Sequence, residues 1–423
     1  MIGVMVSAGL LAVYQLTEFF YINAIKLEVL LQHFLILPGK GELVFHQPIQ
    51  YVFFTVMAFV SAWVGIDLPH WFGKLAFIFR ASFLTLLMAP ALAFCGILFE
   101  PFSGVAAIVI AGTIGLVFGG GKAGKKSRKL LQQFAGRISK GSFETLLAAP
   151  ENTSLSGTRE LTVLTAQILN HAELNQQLTP RDLELLASLF EQTVAEFLVA
   201  EGAYLDTCHP KGIRVLIGML DQEDDHALRG CRMAIALHER LVKLEQEILT
   251  RWKHKPLFGI ALATGPMSVG LYGYGQFENY SALGDSLDYC HRLCSVNLVY
   301  GSQILISMRT YHLAKEEMEV RPMEMVYAPK LHQISEVYEL LGAKGTMNED
   351  EIRARDAYWQ GVVSLRKGAF KEAMQQFKKS QIANREDAPL KYFMDRAEAG
   401  LREGVENSDR KGALTHARML NSY

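Results

Sequence analysis

The apolar positions change character along the chain. Before residue 121 they run together without period; from residue 159 onward they alternate as in strands or recur at helical spacing. Three uncharged apolar runs stand in the first part: Gln50–Ile66, Ala81–Phe99 and Gly104–Gly120. Each approaches the roughly 20 residues that a spanning helix needs. A fourth candidate, residues 2–21, is interrupted by Glu18 and is left open as a span. It lacks a basic leading region and a clear small-residue cleavage site, which predicts an anchor rather than a cleaved signal. Residues 1–121 are thus expected to hold three or four transmembrane helices. Fewer than thirty residues separate the first candidate from Gln50, too few for an independent sensor domain.

A basic cluster, Lys122, Lys125, Lys126, Arg128 and Lys129, follows the last run. Such a cluster marks the cytoplasmic side of a span and can also meet anionic head groups. The expectation is a multi-pass protein of the inner or plasma membrane, with everything after residue 121 cytoplasmic.

From Arg159 to about Leu341, strand and helix patterns alternate. "LTVLTAQI" reads as a strand. A helix starts at Pro180, with Thr179 as cap, Asp182 three residues later, and an apolar face of Leu183, Leu186, Phe190, Val194 and Phe197. A strand–turn–strand follows at residues 203–219, then a helix, a strand ("LFGIALATG"), a hairpin return ("PMSVGLYG"), a strand–turn–helix and a last strand, "QILIS". Helices between strands predict a sheet covered by helices.

Composition adds little to this. A chain of 423 residues suits two or three domains, and half apolar with a fifth charged residues fits apolar segments joined to a soluble part. A formal net charge of −1 gives no global basic field for nucleic acid. Five cysteines lack metal or redox spacing and are expected to be buried free thiols in a reducing compartment, with Cys290 and Cys294 four apart on one helix. His171, His209 and His291 show no metal spacing.

Five stretches in order resemble the catalytic domain of class III adenylate/guanylate cyclases. "RELTVLTAQI" is similar to the opening strand R-x-V-T-V-L-F-x-D-I, and "GAYLDTCHPKGIRVLIG" to G-G-x-V-D-K-x-x-G-D-G-x-M-A-x-F-G. "HALRGCRMAIALHERL" is similar to the next helix, "FGIALATGPMSVGLYG" to I-G-I-x-x-G-x-V-x-x-G-x-x-G, and "YSALGDSLDYCHRL" to Y-x-x-x-G-D-x-V-N-x-A-x-R-L. The connector "FAGRISKGSFETLLAAPE" resembles that of bacterial membrane-bound cyclases. The resemblance implies an α+β, ferredoxin-like domain over residues 159–341, after a connector at 122–158. It also implies a dimer, because the family's site forms between two such domains.

A cyclase joins the ribose 3′-oxygen to the α-phosphate with two Mg²⁺ or Mn²⁺ ions, which call for carboxylate ligands. The family's two metal-binding aspartates fall here on Gln167 and Lys211. A cation at the place of a divalent ion is repulsive, by about 1 to 4 kcal/mol per unit charge at 4 Å and twice that for a divalent ion. Arg292 stands at the transition-state arginine and Asp288 at the transition-state asparagine; Thr207 stands at the base-selecting lysine and Ser281 at its base-reading partner. Glycines that shape the hairpins persist, among them Gly202, Gly212, Gly218 and Gly284. Each altered residue also has a plainer reading. Gln167 reads as a polar strand end, Lys211 as a solvated turn residue or a phosphate ligand, Arg292 as the partner of Asp288, and Asp285 as a cap.

Residues 342–350 read as a polar linker and residues 351–404 as three helices resembling one tetratricopeptide-type repeat plus a helix, with a polar end at 405–423. A lone repeat cannot bury its own apolar face, so the tail should dock on the cyclase-like domain or on a partner. The expected function is a membrane-anchored, catalytically degenerate cyclase-like signalling protein, as a homodimer or a heterodimer with an intact cyclase, with ATP or GTP as candidate ligand and no resident cofactor. The alternatives are an active cyclase with an unusual Mg²⁺ or Mn²⁺ site, and a scaffold using the helical tail.

Overall fold

A computed structural model describes residues 2–402, 418 and 419, apart from 18, 35–43, 69, 121, 135, 150–155, 221–223, 276–277, 329–332 and 384. The readings of Glu18, and of residues 405–423 other than 418 and 419, lie outside the described residues. The chain forms two units, Met1–Leu131 and Gln132–Tyr423.

The first unit runs α1 (Ile2–Thr17), α2 (Phe19–Phe34), β1 (Val44–Phe45), α3 (Gln47–Asp67), α4 (Trp71–Ala93), β2 (Ile97–Leu98) and α5 (Pro101–Gly120), and α6 (Lys122–Phe134) begins the connector. Helices α3, α4 and α5 are long and apolar enough to cross a membrane. The fourth candidate run is divided: α1 has 16 residues, about 24 Å at the helical rise, against a hydrocarbon core of about 30 Å. The second run is displaced. Its helix starts at Trp71, takes in Lys74 and Arg80, and stops at Ala93. Gly96, at φ +77°, turns the chain there, and Ile97–Leu98 pairs with β1. Lys74 is tolerated inside the apolar helix because its ammonium donates to the Gly65 carbonyl near the end of α3.

Small residues let α3 and α5 approach. A Cβ on Gly115 would lie 2.6 Å from the Ala62 carbonyl oxygen, and one on Gly65 2.9 Å from that of Gly112. Close backbone approach of this kind is a main source of helix association in lipid.

The second unit is built on one mixed sheet. In chain order it holds α7 (Lys140–Ala148), β3 (Gly157–Ile168), α8 (His171–Gln177), α9 (Pro180–Ala200), β4 (Tyr204–His209), β5 (Gly212–Ile217), α10 (His226–Trp252) and β6 (Phe258–Tyr272). There follow β7 (Asn279–Leu283), α11 (Asp285–Tyr300), β8 (Ile304–Ser307), α12 (Met308–Ala314), β9 (Met318–Ala328) and β10 (Gln333–Ala343). The tail is α13 (Glu349–Arg366), α14 (Phe370–Lys379), α15 (Ala388–Arg402) and β11 (Arg418–Met419). The strand order is β11-β9-β10-β8-β6-β3-β5-β4, with β7 also on β6.

Side-chain alternation on β3 sorts the two faces. Leu164, Ala166 and Ile168 join the core under α9 and α10 with Leu186, Phe190, Val194, Leu237 and Leu241. Gln167 points to α11 instead, where it meets His291. Thr179 caps α9 as its sequence predicts, accepting from the Asp182 N–H at 3.2 Å. The thiols of Cys290 and Cys294 donate to sheet carbonyls of Ala261 and Gly259 at 3.3 and 3.2 Å. Those two and Cys231 are buried, but Cys95 and Cys208 are exposed, contrary to the expectation of five buried thiols.

Two strand readings are corrected. No hairpin forms at Pro266: β6 continues through it to Tyr272 and turns back afterwards into β7. Beyond β3, its second side pairs with β8 up to Leu262 and with β7 from Ser268. Pro266 thus falls where that second side is unpaired, the place a strand tolerates proline. The long β9–β10 hairpin, by contrast, was not read from the sequence.

The tail docks on that hairpin. Tyr358, Phe377 and Phe393 are buried and their rings meet, with Tyr300 of α11 stacked on Phe393. Arg321 of β9 binds Glu339 of β10 at 2.6 Å and Asp387, just before α15, at 2.5 Å. Arg366 meets Glu336 at 2.5 Å, and Arg355 and Arg396 bind Glu319 and Glu324.

Two outcomes follow. Phe393→Ala should remove about 3–5 kcal/mol of stability, read by urea unfolding of the detergent-solubilised protein. Gly115→Leu should lower its melting temperature by separating α3 from α5, while Gly9→Leu, where a Cβ meets nothing within 4 Å, leaves it unchanged.

Candidate functional site

The two positions expected to carry metal ligands do come together. Gln167 pairs with Gly212, and the Ile168 N–H donates to the Lys211 carbonyl at 3.0 Å. Close approach requires glycine at 212, since a Cβ there would lie 2.9 Å from Gln167 Cγ. Lys211 itself is exposed at the β4–β5 turn.

The Gln167 amide is already engaged. Its Nε2 lies 2.6 Å from His291 Nδ1, and Ser295 donates to its Oε1 at 3.2 Å. An amide nitrogen only donates, so Nδ1 accepts and the ring is neutral with its proton on Nε2. Partial burial and the nearby Arg214 hold the His291 pKa below the ordinary value, against a raising effect of Asp288. His171 is held low by burial first, then by Lys211 and His209.

These groups surround a cavity of about 630 Å³. Gln167, Lys211, Thr207, Arg214, His171, His209, His291 and Ser295 supply its polar wall; Leu169, Ile213 and Leu298 supply apolar wall. Among the described residues lining it there is no carboxylate, and no group of three His, Cys, Asp or Glu among the described residues could hold a metal ion. The residues present do not fit a pair of hard divalent ions, which take oxygen ligands dominated by carboxylates.

The other expected residues divide. Thr207 lines the cavity. Ser281 does not; it donates to Asp206 Oδ1 at 2.5 Å. Arg292 and Asp288 lie on α11 beside His291 but outside the cavity wall. Asp285 opens α11 directly after Gly284.

Sequence reasoning passed over Asp206, Arg214 and the histidines as site residues. Asp206 is buried and receives Arg214 Nε and Nη2 on one oxygen at 2.7 and 2.6 Å. An arginine inside the apolar strand "GIRVLIG" was the available signal for this pair. The histidines are distant in sequence, and only the strand register brings them together.

In an NMR titration, His171 and His291 should each show a midpoint below 6.5. Lys211→Ala should raise the His171 midpoint, because it removes a neighbouring positive charge.

No family model matches the chain. Over 195 residues it is 24% identical to "Adenylate cyclase 1" of Rhizobium meliloti (strain 1021), a match covering 46% of this chain and 29% of that protein. The chain thus spans under a third of the length of this curated relative. Among solved structures it is similar to the adenylyl cyclase CyaB from P. aeruginosa, at 21% identity and TM-score 0.42 over 46% of this chain and 99% of that one. It is also similar to the dimeric guanylyl cyclase domain of the RhoGC fusion protein from the aquatic fungus Blastocladiella emersonii, at 20% identity and TM-score 0.37 over 45% and 100%. The sequence match to a curated adenylate cyclase falls on a chain whose five stretches, in order, are similar to class III adenylate/guanylate cyclase domains, and those stretches lie on the strands and helices just described.

Proposed function

We propose that this is a membrane-anchored, cyclase-like signalling protein whose own catalytic site is degenerate and which acts as a dimerising, regulatory module. The observation that supports this reading is a cavity with no carboxylate among its described lining residues, at the positions where the resemblance leads one to expect metal ligands. Metal-assisted cyclisation needs ions on the attacking and leaving oxygens, and here a lysine and a committed carboxamide occupy the ligand positions. Arg292 lies outside its own chain's cavity, which suits a residue offered across a dimer, either to a second copy or to an intact cyclase. The basic run after α5 supports a cytoplasmic placement of the cyclase-type domain. The helices α13 to α15, arranged as a pair plus one, are the proposed surface for a protein partner.

Full-length protein in nanodiscs, given ATP or GTP with Mn²⁺, should yield no cyclic nucleotide above background. A cyclic product that disappears in Arg292→Ala would overturn the reading in favour of a working cyclase. Gln167→Asp combined with Lys211→Asp should restore Mn²⁺ binding in part, while Thr207 and Asp288 keep turnover low; full activity in that double variant would show that only the metal ligands had been lost.

A further inference from the structure

We propose that the cavity at the β4–β5 turn binds a phosphate chain directly, without a divalent cation, with Lys211 standing where a metal would otherwise neutralise the phosphate. The ligand chemistry is a di- or triphosphate, carried by a nucleotide or as free polyphosphate. The inference rests on the reading that the site is degenerate for metal.

The argument is one of sign. A site walled by aspartates repels phosphate until metal ions reverse its charge, so chelation empties it. Here that wall is Gln167, Lys211, Thr207, His171, His209 and His291, with no carboxylate among the described lining residues. Arg214 also lines the wall, but its charge is answered by Asp206 on the buried side, so the sign of the site rests on Lys211. Lysine meets phosphate as a compact point charge with three donors, and such charge-assisted contacts are about twice as strong as neutral ones. The Thr207 hydroxyl can add a further donor, and the histidine rings can add N–H groups. A volume of about 630 Å³ falls within the range of small-molecule sites, about 300–1,000 Å³, and exceeds what a lone inorganic ion fills. The apolar wall of Leu169, Ile213 and Leu298 offers a surface to the uncharged part of a nucleotide.

The experiment is calorimetry on full-length protein in detergent micelles, with ATP, GTP and inorganic pyrophosphate as probes, first in EDTA and then with excess Mg²⁺. At least one probe should bind in EDTA, and Mg²⁺, by neutralising the phosphate chain, should weaken that binding. Lys211→Glu should weaken it by about tenfold or more, as loss and reversal of a charge-assisted contact requires, while Lys211→Arg retains it. Lys211 is exposed in a turn, so both variants should melt as the parent does. ATP or GTP binding more tightly than pyrophosphate assigns a nucleotide; equal binding assigns free polyphosphate, and both support the site. Absence of binding in EDTA, binding that requires Mg²⁺, or binding unchanged in Lys211→Glu overturns it. The cyclic-nucleotide assay keeps the two readings apart: no product and no binding in EDTA sinks only the phosphate site, whereas Arg292-dependent product sinks the degenerate reading.

Discussion

The register of β3 between two glycines sets the site. Gln167 pairs with Gly212 of β5 on one side and with Gly259 of β6 on the other. A Cβ on Gly212 would lie 2.9 Å from Gln167 Cγ, and one on Gly259 would lie 2.9 Å from Leu169 Cδ1. A side chain at 212 would crowd Gln167 itself, and one at 259 would crowd the Leu169 side chain and the Cys294 carbonyl. A slip of one residue would turn Gln167 into the apolar core under α9 and α10 and move Leu164 and Ala166 to the face under α11. The hydrophobic core thus fixes which residue meets the β4–β5 turn, whatever that residue can ligate.

A second constraint is the buried Asp206. Its carboxylate serves Arg214 and Ser281, and its backbone carbonyl accepts from Arg137 at 2.6 Å. A buried carboxylate with good hydrogen-bond geometry on both oxygens is a structural acceptor. It also separates Ser281 from Thr207, since Ser281 is drawn to it while Thr207 lines the cavity. Arg137 belongs to the connector, as does Phe134, which stacks on Tyr280 at 5.1 Å. The segment leaving α6 is therefore fastened to β7 and to β4, the strand that brings Thr207 and His209 to the cavity wall.

What could be read in the sequence follows the range of the interactions. The cap at Thr179, the apolar face from Leu186 to Phe197, and the strands β3, β5 and β8 are local patterns, and they appear where the pattern puts them. The helix α4 begins earlier than its apolar run because Arg80 and Lys74 interrupt that run, and the carbonyl of Gly65 that answers Lys74 is invisible in one dimension. Pro266 suggested a turn, although the gap between β8 and β7 accommodates it. The β9–β10 hairpin carries Glu319, Arg321, Glu324, Glu336 and Glu339, charges that hide its alternation until the tail's arginines and Asp387 are seen to answer them. At the site, Gln167 and Lys211 were legible by position. The contacts of Gln167 with His291 and Ser295, 124 and 128 residues away, were not.

Those contacts give Gln167 a structural role of its own. The Gln167 amide donates to a neutral His291, and the ring's lowered pKa fits that state. A carboxylate at 167 has no proton to give Nδ1 and would favour a charged imidazole instead. An aspartate is also one methylene shorter than glutamine, so it would have to reach α11 differently or leave Ser295 with the His291 carbonyl as acceptor in place of residue 167. Gln167, His291 and Ser295 therefore form a matched neutral set in which the strand end is hydrogen-bonded to a helix. Lys211, exposed beside that set, can hold its charge without disturbing the packing behind it. The polar wall is therefore of two kinds: Gln167, His291 and Ser295 are hydrogen-bonded to one another, while Lys211 stands exposed at the turn.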